Sequence, residues 1–259
     1  MLLAALVALI IAALAYVAGA LTVAGAGAAV VIGTLCLLAG WSWAALLILY
    51  FVVAVAFSKL GADAKERRTG GVVAKSGRRD AVQVLANGGV FALAAFLSGQ
   101  SAAPNAVLLA AAAAGALAAS AADTLATEIG TFVGGEPRSV IGWRAVPAGT
   151  SGGVSAAGSL AMFGGAMLVA LAARIMGLTP HPIAVALGGV AGAVADSLLG
   201  ALVQERRQCP RCDLATERRV HDCGTATVLA GGVAWLDNDL VNLCATLVGA
   251  MVAAMLAVV

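Results

Sequence analysis

The chain has 259 residues, 62% of them hydrophobic and only 11% charged, with a mean hydropathy of +1.01. A soluble domain carries about 25% charged residues, so the composition excludes an ordinary soluble enzyme, and no nucleic-acid partner is expected. The formal net charge of +2 says little; the placement of the charges says much more.

Apolar runs long enough to cross a hydrocarbon core of about 30 Å recur along the chain, without the alternation of membrane strands. The expected fold is all-α: a polytopic helical membrane protein of roughly seven or eight transmembrane helices, one membrane domain over 1–259. Helices are predicted near 2–18, 22–39, 42–57, 82–98, 104–130, 151–176, 182–204 and 239–258. The first has no basic residue ahead of its apolar stretch and reads as a membrane helix, not a cleaved signal peptide. The second is short and Gly-rich and reads as a span or as a re-entrant segment. Abundant Ala and Gly suit close helix approach in lipid.

Three polar loops interrupt this pattern. The first, 58–80, reads "SKLGADAKERRTGGVVAKSGRRD" and holds seven Lys/Arg; the second, 131–150, holds Arg138 and Arg144; the third, 205–238, holds five. Two predicted spans separate each loop from the next, so all three share one side, and they contain fourteen of the fifteen basic residues. By the positive-inside rule that side is the cytoplasm. The expected location is the plasma membrane, with the active site facing the cytoplasm.

This orientation gives each polar residue a depth. Asp80, Gln83 and Asn87 form a stripe at the start of helix 82–98. Asp123 lies roughly 10 Å inside the end of helix 104–130, with Glu128 shallower, and Asp196 about 12 Å inside the end of helix 182–204, with Gln204 two turns further out. Asp239, Asn242 and Thr246 make a fourth stripe at the start of the last helix. Any one of these is commonly an interhelical hydrogen bond or a polar helix end. Four at one level point to a shared site. Crowded acids in a membrane call for a cation, and Asp123, Glu128, Asp196 and Asp239 are a hard-oxygen set suited to Mg²⁺. That ion keeps several waters and is completed by substrate phosphates.

Two further motifs stand out. "VPAGTSGGVS" (146–155) leads into the predicted start of helix 151–176, where Gly149, Thr150, Ser151, Gly152 and Gly153 fit an anion cradle. The competing reading is an ordinary Ser/Thr-capped helix start; no Gly-Lys-Ser/Thr follows, so this is not a Walker A loop. Cys209, Cys212, His221 and Cys223 supply four ligands within the third loop, a candidate zinc knuckle with structural Zn²⁺. Unmetallated thiols are the alternative, since a reducing compartment disfavours disulfides. "SAADTLA" (120–126) and "AVADSLL" (193–199) form a candidate internal repeat, each followed by a Gly-Thr, at 149–150 and 224–225.

The blocks "RRDAVQVLANGG" (78–89), "ADTLATEIG" (122–130), "PRSVIGWRAVPAGTSGGVS" (137–155), "ADSLLGALVQ" (195–204) and "LDNDLVNL" (236–243) resemble those of a widespread integral-membrane family. Its best-understood branch is the plant phytyl-phosphate kinase, and it has an animal transmembrane relative. The resemblance implies a membrane transferase, an isoprenoid lipid-phosphate kinase. It would move a phosphoryl group from a nucleoside triphosphate, CTP in the plant branch, to a polyprenyl or phytyl monophosphate, with magnesium. Asp123, Glu128, Asp196 and Asp239 would then hold Mg²⁺, and Asn87, Asn238 and Asn242 would bond phosphate or metal-bound water. Gly149 to Gly153 would cradle phosphate, Arg79, Arg138 and Arg144 would neutralise it, and Asp80 joins the substrate-binding set. Competing readings are a CTP-dependent cytidylyltransferase acting on a lipid phosphate and a small-solute transporter. A homodimer is an open alternative to a monomer.

Overall fold

The computed structural model describes residues 1–70, 72 and 77–258. Part of the first basic loop, including Lys75, lies outside the described residues. Eight helices form the bundle: α1 (Leu2–Val17), α2 (Val23–Ala39), α3 (Trp41–Lys59), α5 (Ala81–Gln100), α6 (Asn105–Val133), α7 (Ala156–Ile175), α8 (Pro182–Leu202) and α9 (Asn238–Leu256). A short helix not foreseen from the sequence, α4 (Ala62–Thr69), lies within the first basic loop. Among the described residues, six helices, α3 and α5 to α9, are long and apolar enough to cross a membrane, while α1 and α2 are shorter, at 16 and 17 residues.

The ambiguity at α2 resolves by its neighbours. Gly25 packs against the backbone of Arg79 and Asp80 at the start of α5, Ile32 meets Gly88, and Ala39 lies beside Gly99 near the end of α5. The helix therefore begins at one end of the bundle and finishes at the other. A re-entrant segment would return to the end it left, so that reading is corrected.

The centre of the bundle is α6, whose middle turns from Ala110 to Ala122 are buried on nearly every side. In lipid there is little hydrophobic drive between helices, so association relies on close van der Waals packing of small residues. Glycines provide it. A β-carbon on Gly188 of α8 would lie 2.6 Å from the carbonyl oxygen of Gly249 in α9, and one on Gly249 would lie 2.7 Å from that of Gly115 in α6. The outer surface is apolar instead of charged: Leu160, Phe163, Met167, Leu171 and Ile175 form one exposed face of α7, as a lipid-facing helix should.

Two small antiparallel sheets decorate one end. β1 (Arg138–Ser139) pairs with β2 (Gly153–Val154), and β3 (Arg206–Cys209) lies between β4 (Leu214–Thr216) and β5 (Val228–Gly231). The loops that carry them follow α6 and α8, helices that run in the same direction.

Candidate functional site

A cavity of about 1180 Å³ lies at this end, lined jointly by the ends of α3 and α5 to α9 and by residues of all three polar loops. The three loops therefore gather at one end of the molecule. The acids of the cavity come mainly from helices and loop ends, and its bases from the loops.

Helix register sets the deep layer. Gly192 of α8 packs against Ala119 of α6 and the carbonyl of Ala245 in α9. One helical turn beyond that contact, on the same faces, stand Asp196, Asp123 and Asn242. All three line the cavity with Asn87 of α5 and Asp239, which is buried. Ser120 and Thr246 close the seams to α5, donating to the carbonyls of Asn87 (2.7 Å) and Ala86 (3.2 Å). Asp196 is close enough to Asp123 and to Glu217 of the third loop for their charges to interact. Among the described residues, one buried side-chain oxygen is without a hydrogen-bond partner, and it is Asp196 Oδ2. A buried, unpartnered carboxylate oxygen is costly unless a ligand completes it.

That orphan suits Mg²⁺ chemically. Among the described residues, however, no three of these carboxylates come as close together as the Cys/His ligands do. The residues fit a hydrated ion held by one or two carboxylates and completed by phosphates, not an all-protein cage.

Several residues stand elsewhere than expected. Glu128 lines the cavity but forms an ion pair with Lys65 of α4, whose ammonium also donates to the carbonyls of Phe57 and Ser58 at 2.8 Å each. It is thus engaged by a cation before any metal, because α4 folds back across the ends of α3 and α6. Asp80 does not line the cavity: it caps α5 in a reciprocal box with Gln83. Gln204 lies past the end of α8 and donates to Glu217 at 3.0 Å, so it does not continue the Asp196 face. Arg138 and Arg144 are exposed on the β1–β2 hairpin outside the cavity, Arg138 donating to the carbonyl of Trp143 at 3.0 Å. Arg79 does line it, with its guanidinium 5.9 Å from the ring of Phe51.

The Gly-rich turn also lies on the cavity, but not as a helix start. α7 begins at Ala156, capped by Ser155, whose hydroxyl accepts from Gly158 N at 3.1 Å. Gly149 to Gly153 precede that cap, and Gly152, with φ of +76°, nestles against the backbone of α8 at Ser197 and Ala201. Ser151 donates to Glu217. Asn238, in the first turn of α9, lines the cavity as well. The second Gly-Thr of the candidate repeat, at 224–225, does not line it.

Sequence reasoning missed Lys65, Glu205 and Glu217. Each sits in a charged loop stretch, where solvated surface is the ordinary expectation. Glu205 is buried, paired to Arg207 and lying 3.6 Å from Arg219.

In the third loop, the ligand atoms of Cys209, Cys212, His221 and Cys223 all lie within 4.8 Å of one another. Hydrogen bonds from Thr225 and then His221 lower the Cys223 thiol to about 5, whereas its hydrogen bond to Cys223 raises Cys212 to about 11.

The model of a family of integral membrane proteins, DUF92, matches residues 6–250. The chain is 29% identical over 246 residues to Protein PGR of Arabidopsis thaliana, covering 86% of this chain and 84% of that protein. It is 28% identical over 217 residues to an uncharacterized membrane protein of Methanocaldococcus jannaschii, covering 82% and 75% respectively. No solved structure matches it.

Proposed function

The chain belongs to the DUF92 family of integral membrane proteins, and from that premise we propose that it is a Mg²⁺-dependent lipid-phosphate kinase. It would transfer the terminal phosphoryl group of a nucleoside triphosphate, CTP by the resemblance of its sequence blocks, to a polyprenyl or phytyl monophosphate. The observation that carries this reading is the orphaned Asp196 oxygen in an acid layer shared with Asp123, inside a cavity bounded by apolar helices and polar loops.

Phosphoryl transfer asks the protein mainly for positioning and charge neutralisation. Mg²⁺, held by Asp196 together with Asp123 and completed by waters and phosphates, would supply neutralisation of the phosphates. In this reading the lipid's phosphate oxygen attacks the terminal phosphorus of the nucleotide. A new P–O–P bond forms, the bond to the bridging oxygen breaks, and the nucleoside diphosphate leaves. The attacking oxygen is already ionised near neutral pH, so no general base is needed. Asn87, Asn238 and Asn242 would donate to phosphate oxygens, and the backbone of Gly149 to Gly153 would lie along one phosphate. Arg79 would neutralise charge, and the prenyl tail would remain among the exposed apolar helix faces. The loop end would face the cytoplasm, where the nucleotide is.

The test is purified protein with Mg²⁺, labelled CTP and a panel of prenyl monophosphates, followed by mass analysis. CDP with a prenyl diphosphate supports the kinase. Pyrophosphate with a CDP-lipid would establish cytidylyl transfer instead, and solute flux into liposomes without nucleotide consumption would establish transport.

A further inference from the structure

The Cys/His cluster takes no part in the chemistry above, yet its ligand atoms are tightly gathered. β3 ends at Cys209, and a turn with Asp213 in the left-handed region (φ 54°) brings Cys212 back beside it. A second turn folds His221 and Cys223 onto the pair. His221 N donates to the Thr225 carbonyl at 3.0 Å and Gly224 N to the His221 carbonyl at 2.8 Å. The Cys209 and Cys223 sulfurs are 3.6 Å apart, and His221 Nδ1 is 3.3 Å from the Cys223 sulfur. A disulfide would need about 2.05 Å between sulfurs. Bonds of ~2.3 Å to sulfur and ~2.05 Å to nitrogen give tetrahedron edges of about 3.8 Å and 3.5 Å, close to the spacings found.

The surrounding fold needs such a staple. Its sheet has strands of four, three and four residues, and Leu214, Val228 and Leu229 are exposed. So small a sheet without a core is marginal on its own. The sheet also carries cavity residues at both ends. Glu205 precedes β3, and Glu217 follows β4, accepting from Ser151 and from Gln204.

We propose that Cys209, Cys212, His221 and Cys223 bind one Zn²⁺ as a closed structural knuckle, and that this ion holds Glu205 and Glu217 at the cavity wall. Three thiolates and an imidazole select zinc by softness and tetrahedral geometry. Four protein ligands leave no position open for substrate. The ion therefore shapes the site without entering the reaction, and its presence does not depend on which reaction the cavity performs.

Metal analysis of the full-length protein, purified in detergent without added metal or chelator, should find about one zinc per chain. Cys212→Ser and His221→Ala should lose it, whereas His221→Cys, which rebuilds a four-ligand set, should keep it. Limited trypsin digestion, with cut sites mapped by mass spectrometry, gives a second reading. The native protein should resist cleavage at Arg207 and Arg218, whose side chains are 16% and 24% exposed, and removal of zinc by a mercurial and chelator should open both to trypsin while helix content stays unchanged. The proposal is overturned by wild-type protein that contains no zinc and takes none up when it is supplied. Full zinc content in His221→Ala, or the same digestion pattern with and without the metal, overturns it equally.

Discussion

Gly192 of α8 sits against Ala119 of α6 with no room for one methyl group between them. A β-carbon there would also lie 2.7 Å from the Ala245 carbonyl of α9, so one glycine fixes the spacing of three helices. Asp196 and Asp123 each lie four residues further along, and their separation is inherited from this contact. Gly192→Val should lower the melting temperature in detergent, since overpacking costs about 1–3 kcal/mol, and should abolish turnover by moving Asp196. Gly164 of α7, where an added β-carbon meets nothing within 4 Å, is the control. Gly164→Ala should be neutral or stabilising by up to about 1 kcal/mol through helix propensity. Equal losses in both variants would show that the seam does not set the site.

Asp196→Asn removes charge but little volume. Because Asp196 Oδ2 is buried and unpartnered, its replacement by an amide should leave the melting temperature unchanged or raised. Turnover should fall at least ~100-fold, the scale seen when one preorganised electrostatic group is lost. Asp123→Asn should behave the same way. Activity near that of the wild type in either variant would remove the acid layer from the mechanism.

Glu128 separates two accounts of one carboxylate. As a Mg²⁺ ligand, it would shift the metal dependence when changed to Gln and spare stability. As the partner of Lys65, it should do the reverse. The Lys65 and Glu128 side chains are only 10% and 21% exposed, and breaking a buried pair from one side costs up to about 3–5 kcal/mol. Lys65→Met should be the more damaging change, because it also strands the Phe57 and Ser58 carbonyls at the end of α3. Melting temperatures and Mg²⁺ titrations of turnover for the two variants decide between the accounts.

The helices and the acid layer were legible because an acid inside an apolar run is expensive and therefore informative. Asp123, Asp196, Asp239 and Asn242 needed only helix periodicity and a consistent side to be brought together. The loops were less legible, since their charges have cheap solvated alternatives. Lys65 and Arg68 look like generic surface cations until α4 folds, when both serve helix ends, Arg68 donating to the carbonyls of Thr131 and Phe132. Glu217 reaches Asp196 only through a sheet whose strands are too short to announce themselves. The start of α7 was available in the sequence. Gly152 and Gly153 are poor helix formers, and Ser155 is the first good cap after them.

Three arginines expected to neutralise phosphate part company in the structure. Arg79 is held by its backbone, donating to the Ala20 carbonyl and accepting from Thr22 N at 3.0 Å each, and it lines the cavity. Arg138 and Arg144 stand exposed on a hairpin outside it. Arg79→Ala should therefore reduce kcat/KM by roughly 10- to 100-fold, the worth of a hydrogen bond to a charged group. Arg79→Lys should recover part of that loss by keeping the charge without the planar fork. Arg138→Ala and Arg144→Ala should each stay within about twofold of wild type, as surface changes of ~0.5 kcal/mol or less do. A loss at Arg144 as large as at Arg79 would mean that the hairpin closes over the nucleotide during turnover. The Gly-rich turn, which joins the two strands of that hairpin to the cavity, would then move with it.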